Sequence, residues 1–358
     1  MRRLMVQKTV RRTAACIMAL LLVTGLIVPV CGTTLAKGSG VVLGECGGAL
    51  ESAYAEWQQS AGATGYHVYY KEADATDTSY RQLDNMLVRQ YSSCMRADVV
   101  GLKAGSYVLK IVPVFNGSED SSKATVTDSL LVKSYDRTGF AWVDGTSSGA
   151  YNEDGTLKDN ADVLYVTEEN KNTVTLDVIK DSKGTKQNAV GLQNILDLVK
   201  KGYAAPLDIR LIGNVTDFST MSGGDIVIDG GSKNNTNGVT FEGIGEDATA
   251  NGWGIRIKNA SNVEVRNLGF MNCDSSEGDN VGLQQGNDHV WVHNCDMFYG
   301  NAGSDKDQVK GDGALDCKKS TYVTFSYNHF WDCGKCNLLG LKGENDSMYI
   351  TYHHNWYD

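Results

Sequence analysis

The chain has 358 residues, 41% of them hydrophobic and 21% charged. That is enough apolar material for more than one core and too little charge for a disordered chain. The 40 glycines against 3 prolines exclude collagen and proline-rich linkers and favour many tight turns. With 33 basic and 43 acidic residues the net charge is -10, and no basic stripe lies beyond Arg12, so nucleic acid is not an expected partner.

At the N-terminus, Arg2, Arg3, Lys8, Arg11 and Arg12 precede an apolar run from Ala14 to Val30 and the small-x-small site Thr34-Leu35-Ala36. This order predicts a signal peptide over 1–36, a linker over 37–46, and a secreted, extracellular product with no membrane attachment after cleavage. A membrane span would be marginal, because the run holds 17 residues and is broken by Gly25 and Pro29. Cleavage leaves Cys46, Cys94, Cys273, Cys295, Cys317, Cys333 and Cys336, an odd set without the spacing of a disulfide scaffold. Cys333-Gly-Lys-Cys336 has no second CxxC and no thioredoxin-like surroundings, so buried thiols are expected rather than a zinc or redox centre.

Residues 47–134 read as strands. Ala55-Glu-Trp57, Tyr66-His-Val68-Tyr-Tyr70 and Tyr107–Val114 alternate apolar and polar, with turn residues at 61–65, 72–77 and 104–105. Several short strands in so short a segment predict a β-sandwich. Trp57, the Tyr66-x-Val68-x-Tyr70 run and Leu102-Lys-Ala-Gly-Ser-Tyr107 resemble a fibronectin type III domain, the last forming its tyrosine corner. That resemblance implies a spacing or docking module, and its aromatics are expected to be core.

A second part, 135–358, begins near Tyr135. Val190, Leu192, Ile195, Leu196 and Val199 carry helical spacing, and Lys200-Lys201-Gly202 suits a helix end. Leu207–Val215 reads as a strand. From Val239 the chain repeats, with apolar residues at positions 0, +2 and +7: Val263/Val265/Phe270, Val290/Val292/Met297, Val323/Phe325/Phe330 and Ile350/Tyr352/Tyr357, at intervals of 27, 33 and 27 residues. Val239-x-Phe241 is a weaker copy upstream. Short apolar runs precede the copies: Ile255-x-Ile257, Val281-x-Leu283, Ala314-Leu315 and Leu339-x-Leu341. An asparagine follows each copy at +4 or +5 (Asn267, Asn294, Asn328, Asn355), and the four are expected to stack at one turn. The period and short strands predict a parallel β-helix in which like residues stack between rungs.

Asp305-Lys-Asp307-Gln-Val-Lys-Gly311-Asp312-Gly-Ala-Leu-Asp316 is the most acidic stretch. It fails as an EF-hand loop, with Lys310 at the glycine position, Val309 replacing a ligand and Asp316 in place of glutamate. In a solenoid, residues before equivalent strands become neighbours. Glu277-Gly-Asp279 precedes Val281-x-Leu283, and Asp312 precedes the equivalent run at Ala314-Leu315, in which Asp316 lies. Asp279, Asp312 and Asp316 are therefore expected on one face, and hard oxygen donors there suit Ca²⁺. A solvated acidic loop would leave the same sequence trace and describes Asp305 and Asp307 well.

Residues 140–358 resemble the pectate lyases of the polysaccharide lyase family 1 superfamily. The resemblance is carried by Val290-Trp-Val-His-Asn-Cys-Asp296, Gly311-Asp-Gly-Ala-Leu-Asp316, Thr321–Phe330, Lys335-Cys-Asn-Leu-Leu-Gly340 and Ile350-Thr-Tyr-His-His-Asn355. It implies an all-β chain, a right-handed parallel β-helix preceded by the fibronectin type III-like sandwich, and Ca²⁺-dependent β-elimination of polygalacturonate by a monomer. It implies Asp279, Asp312 and Asp316 as calcium ligands, Glu277 as a further acidic ligand, and Lys335 as the lysine that meets substrate. His293 and Asn294 stand where the family commonly has Asp and His, and are expected to serve structure near the site. The family's catalytic arginine follows the His-His-Asn motif, and no arginine follows Arg266 here. The chain as given is therefore expected to be an inactive fragment, incomplete at its C-terminal rung and poorly soluble. A β-helix polygalacturonase-type hydrolase, which needs paired carboxylates and no metal, and a non-catalytic pectin-binding or adhesive surface protein are the alternatives.

Overall fold

In the computed structural model, which describes residues 40–233, 236–298, 313–340 and 348–358, the alternating runs of the N-terminal part form two antiparallel sheets. One orders Leu43–Gly48, Ser52–Trp57, Met95–Val100 and Val88–Gln90; the other orders Leu130–Val132, Gly105–Phe115, Gly65–Glu72 and Arg81–Gln82. Their inward residues, among them Ala55, Trp57, Val68, Leu109 and Ile111, share one buried core. The Tyr107 hydroxyl donates back to the Lys103 carbonyl at 3.1 Å, a contact that pins the entry to its strand. The strand Leu43–Gly48 begins inside the segment read as a linker over 37–46. Its glycine-rich sequence carries too little apolar alternation to announce a strand. The signal-peptide segment and Asp305, Asp307 and Asp312 lie outside the described residues. Among the described residues, no helix is long and apolar enough to cross a membrane.

Apart from the antiparallel pair Thr175–Ile179 and Lys186–Val190, the remaining strands stack as a parallel β-helix, beginning with Asp162–Val166, Leu207–Val215 and Val239–Asn251. Later rungs present three faces. The first holds Gly254–Lys258, Val281–Leu283, Leu315–Cys317 and Asn337–Leu339. The second holds Ser261–Arg266, Asn287–His293, Ser320–Ser326 and Met348–His353. The third holds Gly269–Met271, Asp296–Phe298, His329–Trp331 and Trp356–Tyr357. Val263, Val290, Val323 and Ile350 fall in one register, as do Val265, Val292, Phe325 and Tyr352. The +7 residues Phe270, Met297, Phe330 and Tyr357 form the matching column of the third face. This is the physical content of the repeat: equivalent apolar side chains fill the same column of one continuous core, with the exception of Tyr357, which is half exposed.

Three sequence expectations are corrected. The four asparagines do not share a column. Asn267 and Asn294 occupy the corner between second and third faces at positive φ, continued there by Tyr327 and His354. Asn328 and Asn355 sit one residue later, where the Asn328 amide donates to Asn355 Oδ1 at 3.1 Å. A +4 and a +5 offset cannot stack when the corner fixes its backbone conformation. On the first face, Leu315 and Cys317, not Ala314 and Leu315, align with Val281 and Leu283. The small buried thiol serves as the second apolar position. Val190 belongs to the strand Lys186–Val190, and the helix is Leu192–Val199, with Ile195, Leu196 and Val199 buried.

The outward side chains of the second face are covered by the segment 135–151. Its backbone bonds across rungs: Ala150 N–H donates to Thr240 Oγ1 and Ala141 N–H to Thr324 Oγ1, both at 3.0 Å, and Phe140 N–H to Thr351 Oγ1 at 3.1 Å. Beneath it lies a buried ionic ladder. Arg210, Glu242 and Arg266 stand opposite one another on successive rungs, so opposite charges alternate at the strand spacing. Arg266 reaches Glu242 at 2.8 Å, Glu264 at 3.2 Å and Glu51 of the sandwich at 3.6 Å. Arg210 pairs with Asp208 at 2.8 Å and Glu242 at 3.1 Å. The sandwich is held to the β-helix at a second point, where Arg96 meets Glu246 at 3.2 Å and Arg89 meets Asp247 at 3.1 Å. Ile244 enters the sandwich core beside them.

Candidate functional site

On the first face, period-two alternation sends Ile255, Ile257, Val281, Leu283, Leu315 and Cys317 inward. The residues between them face out. Arg256, Gly282 and Asp316 are register partners on three consecutive rungs. Lys318 follows Asp316 by two, so the same alternation sends it outward too. The loop that returns from the third face delivers Glu277 and Asp279 just before the strand Val281–Leu283.

These side chains converge. Lys318 Nζ lies 3.5 Å from Asp316 Oδ2, 3.8 Å from Asp279 Oδ2 and 4.0 Å from Glu277 Oε2. Asp279 and Asp316 are buried. Gly282 makes room for them: a Cβ at that position would stand 2.7 Å from Asp279 Oδ2. Glu277 also accepts from Gln284 at 2.9 Å and Arg256 at 3.4 Å. Burial opposes the charge on Lys318, yet the carboxylates of Asp279, Asp316 and Glu277 outweigh it and hold its pKa above the ordinary lysine value.

Three carboxylates, two of them buried, outnumber the cations Lys318 and Arg256 and form a hard, oxygen-rich and net negative donor set. It fits a hard divalent cation. Of the residues read as site candidates, Glu277, Asp279 and Asp316 are brought together, and Asp312 lies outside the described residues. The register puts Gly313, not Asp312, two residues before Leu315, as Asp279 is two before Val281. Lys335 is exposed one rung further on, its carbonyl accepting from Ala314 N–H at 2.9 Å. His293 is fully buried on the second face, stacked on Trp291 at 3.6 Å with Nε2 3.1 Å from Glu264, so it belongs to the ionic ladder under 135–151.

Sequence reasoning missed Lys318, Arg256 and Asp225. The first two were legible from alternation, each lying beside an inward apolar residue. Asp225 opens the first-face strand Asp225–Asp229, opposite Gly254, and its Oδ2 lies 3.7 Å from Arg256 Nε. Burial pushes its carboxyl up to about 6, against the opposing pull of Ser275 and Arg256. A raised carboxyl keeps its proton in the folded state while the unfolded chain has lost it. Its cost is absent below pH ~4, grows towards pH 6 and is complete above, reaching at most ~3 kcal/mol. Asp225→Asn is therefore expected to gain stability relative to the unaltered chain as pH rises from 4 to 7. Urea unfolding at both pH values checks this, and a pH-independent difference would refute it.

The core supports this face from within. Cys273 and Cys295 are buried, and burial pushes each thiol up to about 12. Such thiols are packing groups, not nucleophiles.

Residues 124–358 match the family model described as pectate lyase. Over 170 residues the chain is 31% identical to a pectate trisaccharide-lyase of Bacillus licheniformis, covering 47% of each chain. Over 200 residues it is 30% identical to pectate lyase 1 of Pectobacterium atrosepticum, covering 49% of this chain and 53% of that one. The chain thus spans about half the length of the curated relatives it matches. Among solved structures it is similar to a pectate lyase from Bacillus sp. N165 in complex with trigalacturonate, at 20% identity and a TM-score of 0.47, covering 62% of this chain and 61% of that one. The family match takes in every rung of the β-helix together with the acidic first face, and the chain belongs to the pectate lyase family.

Proposed function

We propose that this chain carries the calcium site and part of the substrate cleft of an exported polygalacturonate lyase. The observation that carries the reading is the convergence of Glu277, Asp279 and Asp316, from two rungs, on one point held by Lys318. Asp279, Asp316 and Glu277 would hold Ca²⁺, with Asp312 as a further ligand. Bound there, the ion would supply charge to a uronate carboxylate and so acidify its C5 hydrogen. The residues of the chain set up that encounter. Gly282 leaves room for the Asp279 carboxylate. Lys318 offsets part of their mutual repulsion. Lys335, exposed beyond the same face, offers a positive charge to the polyanion. A net charge of -10 is then compatible with an acidic substrate, because contact runs through cations.

Proton removal from C5 needs a base. Arg210 and Arg266 are locked in the buried ladder and Arg256 is engaged by Glu277 and Ser222, so none of these three is placed to serve as one. The role proposed for the described residues is therefore to hold Ca²⁺ and the polyanion. Residues 1–36 would direct export, and residues 47–134 would form a fibronectin type III-like module, a reading supported by the sheet order and the Tyr107 corner.

Affinity electrophoresis in polygalacturonate tests the reading. Retardation is expected with Ca²⁺ and should vanish with chelator. Retardation that survives chelation would favour the hydrolase or adhesive alternatives.

A further inference from the structure

A second cluster of metal-type ligands lies away from the acidic face, at the corner between the second and third faces. One ligand atom each from Asp136, His353 and His354 lies within 4.8 Å of the others. The backbone explains why two consecutive histidines meet. His353 ends the strand Met348–His353, and His354 takes the corner conformation at φ 53. Its side chain therefore turns back beside its neighbour instead of alternating away, and the two Nδ1 atoms are 2.9 Å apart.

The surrounding bonds orient these ligands. His353 Nε2 lies 3.1 Å from the Thr138 carbonyl. A carbonyl can only accept, so Nε2 carries the proton and Nδ1 presents its lone pair towards His354 and Asp136. Such an outer bond is the usual means of fixing the tautomer of a ligating histidine. Asp136 is steadied on both oxygens: Thr138 N–H donates to Oδ1 at 3.0 Å and the Tyr327 hydroxyl to Oδ2 at 2.9 Å. Tyr327 also stacks on the His354 ring with centroids 4.6 Å apart.

We infer that Asp136, His353 and His354 form a binding site for a divalent transition-metal ion of the zinc class, which ties the covering segment at Asp136 to the rung of His353. Two imidazole nitrogens and one carboxylate suit that class rather than Ca²⁺, which takes oxygen donors. His354 is half of the clamp, and metal entry shifts its proton from Nδ1 to Nε2.

Titration of the full chain with Zn²⁺ by calorimetry, in saturating Ca²⁺, tests the site; Co²⁺ absorption reports the donor type. The key variant is His354→Asn. Asn267 and Asn294 hold the same corner in earlier rungs at φ 53 and 52, so asparagine preserves the backbone while removing the ligand. One Zn²⁺ per chain is expected, with a Co²⁺ spectrum free of thiolate charge transfer. His354→Asn and Asp136→Asn should each weaken binding more than ~10-fold, at unchanged circular dichroism. Asp279→Asn should bind Zn²⁺ as the unaltered chain does. Absence of micromolar binding, a thiolate spectrum placing the ion at Cys333 and Cys336, or full affinity in His354→Asn would each overturn the inference.

Discussion

Asp279→Asn is expected to weaken Ca²⁺ binding at least ~100-fold, with loss of calcium-dependent retention on polygalacturonate. The effect is electrostatic. Asp279 and Asp316 are almost wholly buried, so water screens them poorly and each carboxylate interacts strongly with a cation at contact distance. An amide keeps the shape and one acceptor oxygen but removes the charge. Asp316→Asn should behave alike. Asp296 provides the control, being an exposed third-face carboxylate that pairs only loosely with His329 at 3.4 Å; Asp296→Asn should leave Ca²⁺ affinity within about twofold. Lys318→Met should act in the opposite sense, tightening Ca²⁺ binding, because the lysine competes for the same oxygens. Calorimetry on the four variants checks the set. Equal affinities for Asp279→Asn and Asp296→Asn would show that the acidic convergence holds no ion.

Arg266→Met is expected to produce the largest loss of stability, ~3–5 kcal/mol, because it removes one partner from a buried ionic network and strands the others. Arg266 is fully buried and faces Glu242, Glu264 and Glu51, and its guanidinium lies 4.0 Å from the Tyr151 ring centre. No water can replace it there without opening the segment 135–151. Arg266→Lys should recover only part of the loss, since an ammonium cannot address carboxylates on two rungs as a planar fork does. Urea denaturation measures both. A cost below ~1 kcal/mol for Arg266→Met would mean that the ladder is not a structural tie between sandwich and β-helix.

The repeat of Val263, Val290, Val323 and Ile350 made the β-helix legible, because a solenoid writes its core into the sequence at a fixed offset. The same rule located Asp279 and Asp316, which precede or occupy strands of the first face. Its failures have physical causes. Taking Ala314 as the first strand position shifts one rung by a residue: Ala314 is buried in the core, but Leu315 and the small thiol of Cys317 fill the strand columns. Counting +4 and +5 asparagines together merged two columns that the corner conformation keeps apart. Arg210, Glu242 and Arg266 point away from the core and would be expected in solvent. Only the crossing of 135–151, a contact remote in sequence, buries them. Lys318 follows from simple alternation out of Asp316, but a lysine beside a second lysine, Lys319, reads in sequence as an ordinary solvated pair.

Anomalous diffraction from crystals grown with Ca²⁺ tests the central claim most directly. One calcium peak is expected within ~2.3–2.6 Å of carboxylate oxygens from both Asp279 and Asp316, with Lys318 moved aside or sharing the site. A structure in which saturating Ca²⁺ leaves Lys318 bridging both aspartates with no peak between them, or in which the ion contacts only one of the two, would contradict it.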